Sequence, residues 1–536
     1  MTVSSRATLP MRPIIYWICY AAIFFLAVAV RFVPIRSGLP YSDYVDEGHV
    51  LHQTIDAFEH GNLDVYWYGL PALPAYSAGA ALLLYGPFYR QVHGHGFRAD
   101  LPIDRTLPSS KSNYDLITPV ELIVAGRIVT ALLSVASVIL AGIIAARLAN
   151  SKAALFAMLL VAVCPALVAR ASIVIVDTFA AFFVLVTLYF CLRTQTGMSK
   201  SVWREIGLAG FACGLTFASK YPVSIVGVAV LTSILRLSIA WSNRVRLVAF
   251  AAGGALLGIL LGAPMTFIKP LTVWRDVVEN VRAYAQIQST QGYIAQAISA
   301  SELGVPLLVF GLGGIILMLC RDRTRGTAVA WLVFAICLIG LFINSSFRPF
   351  RSFLSLVPLL CIAAAIAFSG LVDWASARKE IWWRSAIAFV LVCLCVGSLG
   401  FSSYHQIKGR IAHKDTRIQA VNWLQERTSS RDTIVAVREL MILPTEWQRI
   451  QANVVVVPWF EAADVLERQR FDYIVTGEFD LRYATDAAGW SAYRDRWLTK
   501  IDSLALQADF GQIPTPVVPY LWRTNEERIL IVRGFQ

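Results

Sequence analysis

The sequence predicts an α-helical polytopic membrane protein with a small C-terminal α/β domain outside the bilayer. Three observations carry that prediction. The 536-residue chain is 57% hydrophobic and 15% charged, where soluble domains carry about a quarter charged residues. Apolar runs recur along residues 1–403, and about eleven of them approach the 20 or so residues that a bilayer crossing needs. From residue 404 onward the pattern changes to short β-rich runs between polar segments.

In order, the apolar runs fall at 13–33, 121–148, 153–170, 172–192, 205–220, 222–239, 247–267, 302–320, 327–345, 352–372 and 385–403. The first lacks the small-residue site of a cleavable signal, so it is expected to stay as a span. The run at 205–220 is short, and Lys220-Tyr221-Pro222 is expected to turn it into a bent hairpin. Arg6 and Arg12, then Arg147 and Lys152, then Arg193, Lys200 and Arg204 fall on one face if the spans alternate. Arg236, Arg244 and Arg246, then Arg321, Arg323 and Arg325, then Arg378, Lys379 and Arg384 continue the series. Basic residues in short loops mark the cytoplasmic side. The N-terminus is therefore expected inside, and the loops 34–120 and 268–301 and the tail 404–536 outside. The net charge of +12 is accounted for by these loops, which leaves no case for a nucleic-acid partner.

The expected domains are a membrane domain over 1–403, whose outer loop 34–120 carries interfacial helices, and an extracytoplasmic α/β domain over 404–536. Val50, Leu51, Ile55 and Phe58 recur at helical spacing, which predicts an amphipathic helix over 46–60. Asp43 would cap it, and Asp46 and Glu47 would occupy its first turn, where carboxylates are favoured. An apolar helix to Tyr85 follows "YWYGLPALPAYSAG", and 93–119 reads as an irregular polar loop. Val277, Val281, Tyr284 and Ile287 predict a second interfacial helix over 272–288. In the tail, "DTRIQAVNWLQER" predicts a helix, and "DTIVAV", "NVVVV", "FDYIV" and "RILIV" predict strands separated by helix-compatible segments. No nucleotide fingerprint, nucleophile motif or internal repeat is present. The nine cysteines lie in or beside apolar runs without metal-ligand spacing, and read as small core residues.

Ionisable residues in or beside spans cost about 2.5–3.5 kcal/mol each at a helix centre. The cytoplasmic ones are explained by topology, the outer ones are not. Those are Asp46, Glu47, Arg127, Arg170, Asp177, Lys220, Arg348 and Arg351. Acids and bases at one depth would line a single cleft. Plainer roles exist for each. Asp46 and Glu47 suit a helix start, and Asp177 suits a cap or a partner of Arg170. Lys220 suits an interfacial lysine, Arg348 and Arg351 lipid headgroups, and Arg127 a partner for Glu121 or Asp46. His49, His93 and His95 lack a third metal ligand, and "HGHG" reads as a solvated loop. Trp67, Tyr68, Trp274 and Tyr293 fit an interface belt, with room for one or two to stack on sugar.

Five stretches together resemble the integral-membrane glycosyltransferases of the GT-C class, in the family 39 group of protein O-mannosyltransferases and aminoarabinose transferases. They are "DEGH" after the first span, "GRIVTALLSV" opening the second, "VDTFAAFF" opening the fourth, "ASKYP" between fifth and sixth, and "FRPFRSFLSLVPLL" before the late span. The resemblance covers essentially the whole membrane domain. It implies transfer of a sugar from a polyprenyl-phosphate carrier to a lipid, glycan or protein acceptor at the outer face of the plasma (inner) membrane, with inversion. It implies Asp46 as general base, and Glu47 positioning acceptor or sugar. Lys220, Arg351 and Arg127, with Arg348 behind them, would bind the donor phosphate, and Asp177 would orient the donor or hold a divalent cation. A transporter or flippase of lipid-linked sugars is the rival reading. It would call for paired repeats or charges near the bilayer midplane.

Overall fold

The computed structural model describes residues 13–42, 44–101, 117–195, 201–285, 292–346, 348–376, 382–412, 414–437, 440, 442–457, 470–477, 505–510 and 529–533. Asp43, Arg6, Arg12, Lys200, Ile287, Arg378 and Lys379 lie outside these residues. So do 102–116 and the helix-compatible segments between the tail strands. The chain divides into two compact units. One is Met1–Arg36, His49–Leu101 and Glu121–Gly409, and the other is Ser37–Gly48, Pro102–Val120 and Arg410–Gln536.

The first unit is helical. Its elements are α1 (Pro13–Phe32), α2 (Val45–His60, whose first residues cluster with the second unit), α3 (Leu73–His93), α4 (Val120–Leu148), α5 (Ser151–Val163), α6 (Pro165–Ala171) and α7 (Val176–Gln195). There follow α8 (Val202–Ser219), a 3-10 turn at Tyr221–Val226, α9 (Gly227–Leu235), α10 (Trp241–Gly262), α11 (Met265–Ile268) and α12 (Pro270–Ala285). The unit ends with α13 (Tyr293–Ile298), α14 (Gly304–Cys320), α15 (Asp322–Phe342), a 3-10 turn at Phe350–Leu356, α16 (Val357–Ser376) and α17 (Trp382–Ala412). Each of the eleven apolar runs is helical. Among the described residues, seven helices are long and apolar enough to span a bilayer, and the bent α5–α6 pair makes an eighth. The pair at Tyr221–Leu235 and the helix α14 are apolar but shorter, and α8 opens on Arg204 and Glu205. Large apolar side chains point outward along these helices, among them Leu261, Ile316 and Phe389. That is the surface of a multi-pass membrane protein. Helices are present where 46–60 and 272–288 predict them, as α2 and as α12, which is described to Ala285. The helix expected to end at Tyr85 continues to His93, where Gly94 at φ 77° provides a left-handed cap and donates to the Arg90 carbonyl.

Where α5 breaks into α6 the axis bends by 57°. Pro165 has no N–H to donate, so carbonyls of the preceding turn lose their helical partners. Arg31 of α1, fully buried, donates to Val161 O at 3.0 Å and Ala162 O at 3.1 Å, and to Ser134 Oγ at 2.7 Å. Ser403 of α17 donates to Val163 O at 2.8 Å. Glu302 holds α6 at both ends: its carbonyl accepts from Ala166 N at 3.1 Å, and its carboxylate takes both terminal nitrogens of Arg170 at 2.8 and 2.7 Å.

In lipid the hydrophobic effect does not drive helices together, so close packing needs small residues. The contact between α8 and α10 is of that kind. A Cβ at Gly214 would lie 2.1 Å from Ala255 O, and one at Gly258 would lie 2.3 Å from Phe211 O. A methyl group there forces the helices apart. Gly253, on the same helix α10, has open space around it. Gly258→Ala is therefore expected to lower stability by about 1–3 kcal/mol through overpacking, and Gly253→Ala to raise it by about 0.4–1 kcal/mol by restricting the unfolded chain. Thermal unfolding in detergent would contradict this if both shifts had the same sign.

In the second unit α18 (Thr416–Arg427) packs on a five-stranded sheet. Its strands are β1 (Thr433–Val437), β2 (Asn453–Val457), β3 (Tyr473–Gly477), β4 (Leu506–Phe510) and β5 (Ile529–Arg533), with α19 (Pro444–Trp447) between the first two. The order is β2-β1-β3-β5-β4. β1 runs parallel to β2 and β3, and β5 antiparallel to β3 and β4. Ala420, Val421 and Leu424 of α18 close the core over Ile434, Ile474 and Ile531. The four strands expected from the sequence are present, and β4 adds a fifth.

Candidate active site

Asp46 and Glu47 form the first turn of α2 and are buried, at 7% and 0% exposure. They group with the tail unit. The cations and Asp177 are in the membrane unit.

Two of the predicted residues meet directly. Lys220 caps the C-terminus of α8 in an extended conformation, and its ammonium is ion-paired to Asp177 Oδ1 in the first turn of α7. Asp177 is 2% exposed, and its other oxygen, Oδ2, has no hydrogen-bond partner among the described residues. A buried carboxylate oxygen left without a donor costs about 1–3 kcal/mol or more.

Arg127, on α4, is fully buried and donates to Ile35 O at 3.0 Å. Glu121 does not serve as its partner; that carboxylate lies 3.1 Å from His93 Nε2. Arg351 is buried in the 3-10 turn before α16, and Arg348 is exposed, with Nε on Ser345 O at 2.9 Å. The backbone carrying both is held by Gln296 of α13. This buried amide donates to Arg348 O at 2.7 Å and accepts from Phe350 N at 2.8 Å. Arg170 departs from the expectation that it shares a cleft with the other outer charges. At 1% exposure it is consumed by Glu302.

A second polar cluster surrounds "YWYG". Asp64 accepts from Tyr68 Oη at 2.5 Å and Tyr66 N at 2.9 Å, and is ion-paired with Lys269. Burial pushes the Asp64 carboxyl up, but these donors outweigh it and hold it below its ordinary value. Tyr66 itself sits at φ 56°. Tyr68 N donates to Asp276 at 3.1 Å, and Asn280 donates to Gly69 O at 2.8 Å. Gln53 of α2 donates to Trp67 O and Leu70 O, both at 2.9 Å, and His49 stacks on Trp67 with centroids 5.3 Å apart. On the other side Tyr221, next to Lys220, donates to Tyr68 O at 3.2 Å. One aromatic loop therefore braces both the body of α2 and the Lys220 turn. His93 and His95 are exposed and lie within 3.1 Å of Glu121 and 3.5 Å of Asp100 respectively.

A family model described as dolichyl-phosphate-mannose-protein mannosyltransferase matches residues 106–273. That span holds Arg127, Asp177 and Lys220. The structure is similar to that of ArnT from Cupriavidus metallidurans bound to undecaprenyl phosphate, at 13% identity and a TM-score of 0.54, covering 97% of each chain. The chain has the GT-C glycosyltransferase fold. The oligosaccharyltransferase of Archaeoglobus fulgidus in its apo form is also similar, at 12% identity and a TM-score of 0.52 over 87% of this chain and 70% of that one. So is the archaeal oligosaccharyltransferase AglB, from the same organism, in complex with an inhibitory peptide and a dolichol-phosphate, at 12% identity and a TM-score of 0.51 over 86% and 69%. No curated protein matches the sequence. The motifs that carried the resemblance in the sequence thus lie on a GT-C fold. As for a divalent cation, no group of three or more His, Cys, Asp or Glu side chains gathers to hold one among the described residues. Asp177 already faces the Lys220 ammonium.

Proposed function

We propose that this GT-C protein moves a sugar from a polyprenyl-phosphate donor to an acceptor hydroxyl of a lipid, glycan or protein at the extracytoplasmic face of the plasma membrane. The observation that carries the reading is the Lys220–Asp177 pair with its unsatisfied carboxylate oxygen. A sugar hydroxyl supplies the donor that Asp177 Oδ2 lacks, and the adjacent ammonium meets the phosphate to which that sugar is attached. The matching family model and the two structures that hold undecaprenyl phosphate and dolichol-phosphate support the same donor class.

The acceptor oxygen attacks the anomeric carbon from the face opposite the phosphate. A new C–O bond forms, the bond from carbon to phosphate oxygen breaks, and the configuration inverts. The acceptor proton goes to Asp46 as general base, and Glu47 positions the acceptor or sugar. Polyprenyl phosphate leaves with the bonding pair and gains a negative charge. Lys220, Arg351 and Arg127, with Arg348 at the exposed edge, stabilise that charge.

Binding of undecaprenyl phosphate to the purified protein, measured by native mass spectrometry, tests the phosphate site. A charge-assisted hydrogen bond contributes about 1.5–3 kcal/mol, so Lys220→Ala and Arg351→Ala are each expected to weaken binding about tenfold or more. Wild-type affinity in both variants would remove the phosphate site.

A further inference from the structure

The segment that leads into Asp46 and Glu47 belongs to the same compact unit as the tail. Ser37–Gly48 cluster with Arg410–Gln536. Tyr41 is the anchor. It is completely buried, and its hydroxyl accepts a hydrogen bond from Leu443 N at 3.2 Å, at the N-cap of α19. The guanidinium of Arg417, on α18, lies 3.6 Å from the centroid of its ring. Arg417 is itself locked by a two-point pair with Asp415, Nε to Oδ1 at 3.0 Å and Nη2 to Oδ2 at 2.8 Å, and Asp415 caps α18 by accepting from Arg417 N at 2.8 Å. All three side chains are buried, at 0%, 3% and 1% exposure for Tyr41, Arg417 and Asp415. Burial raises the Tyr41 phenol well above its ordinary value, so it stays neutral under the cation. Beyond Tyr41 the chain remains packed: Ser42, Tyr44, Asp46 and Glu47 are all buried, and Tyr44 O accepts from Glu47 N at 3.0 Å to open α2.

We infer that the C-terminal domain is a positioning platform for the acidic start of α2, and that Tyr41, clasped by Arg417 and Leu443, is its positioning residue. The inference rests on the reading of Asp46 as the general base. A cation on an aromatic face gains strength when desolvated, and the flat, two-point geometry of arginine is not reproduced by lysine. Three residues of the tail therefore fix a ring five positions ahead of Asp46. Misplacing a catalytic group by about 1 Å can lower rate by about 10²-fold, which gives the tail an effect on rate.

Hydrogen exchange of the full chain in detergent tests the clasp. Tyr41→Ala and Arg417→Lys are expected to speed exchange over 44–50 by about tenfold or more, as local opening would, and to leave the amides of β1 and β3 unchanged. In cells, product is expected to fall by up to about 10²-fold in Tyr41→Ala and to return in large part in Tyr41→Phe, which keeps the ring under Arg417. Should Tyr41→Ala fail to fold, Arg417→Lys and Tyr41→Phe carry the comparison. Wild-type exchange over 44–50 in Arg417→Lys, or no recovery of product in Tyr41→Phe at equal protein level, overturns the inference. If exchange over 44–50 rises but Asp46→Asn keeps full transfer, the clasp stands and the base assignment falls, so the two failures are distinguishable.

Discussion

Asp46→Asn is expected to lower the rate of sugar transfer by about 10²–10⁴-fold, the usual contribution of a positioned general base. The substitution keeps the shape of the side chain in the first turn of α2 and removes its ability to take a proton. Undecaprenyl phosphate binding should be unchanged, because the groups assigned to the phosphate are Lys220, Arg351 and Arg127. The two measurements separate the base from the phosphate site. A loss of binding in Asp46→Asn would mean that Asp46 holds the donor, and unimpaired transfer would end its assignment as base.

The largest expected effect on stability comes from Arg170. Its two-point pair with Glu302 is 1% exposed on both sides, and Glu302 also accepts from the start of α6. Removing one partner of such a buried pair costs about 3–5 kcal/mol. Arg170→Met and Glu302→Leu should each sharply lower the unfolding temperature in detergent and the yield of folded protein. The double variant should recover much of the loss, because two apolar side chains of similar volume replace the ions without leaving a charge behind. Losses that simply add would show that the two side chains act independently.

The helices were readable because each apolar run is set by the thickness of the bilayer, and a single sequence carries that constraint locally. The same holds for α2 and α12, whose apolar residues repeat at helical spacing. The tail strands β1, β2, β3 and β5 announce themselves as runs of valine and isoleucine. β4, "LQADF", does not: only Leu506, Ala508 and Phe510 alternate, with polar residues between, and its place beside β5 comes from the sheet. Pairings across the chain were out of reach. Arg170 and Glu302 are 132 residues apart, and Lys269 and Asp64 are 205 apart. Gln296 sits on a six-residue helix that no periodicity marks. Arg31 lies inside the first span, and nothing near it in sequence marks it as the donor set that satisfies a broken helix 130 residues away. In each case the side chain's role depends on which carbonyl or carboxylate the fold brings to it.

The most direct test of the central claim is mass spectrometry of glycolipids, envelope glycans and exported glycoproteins from cells that carry the chain, lack it, or carry Asp46→Asn. One molecule is expected to be short of a single sugar both without the chain and with Asp46→Asn. A full set of sugars in cells that lack the chain, or full restoration by Asp46→Asn, would contradict that claim.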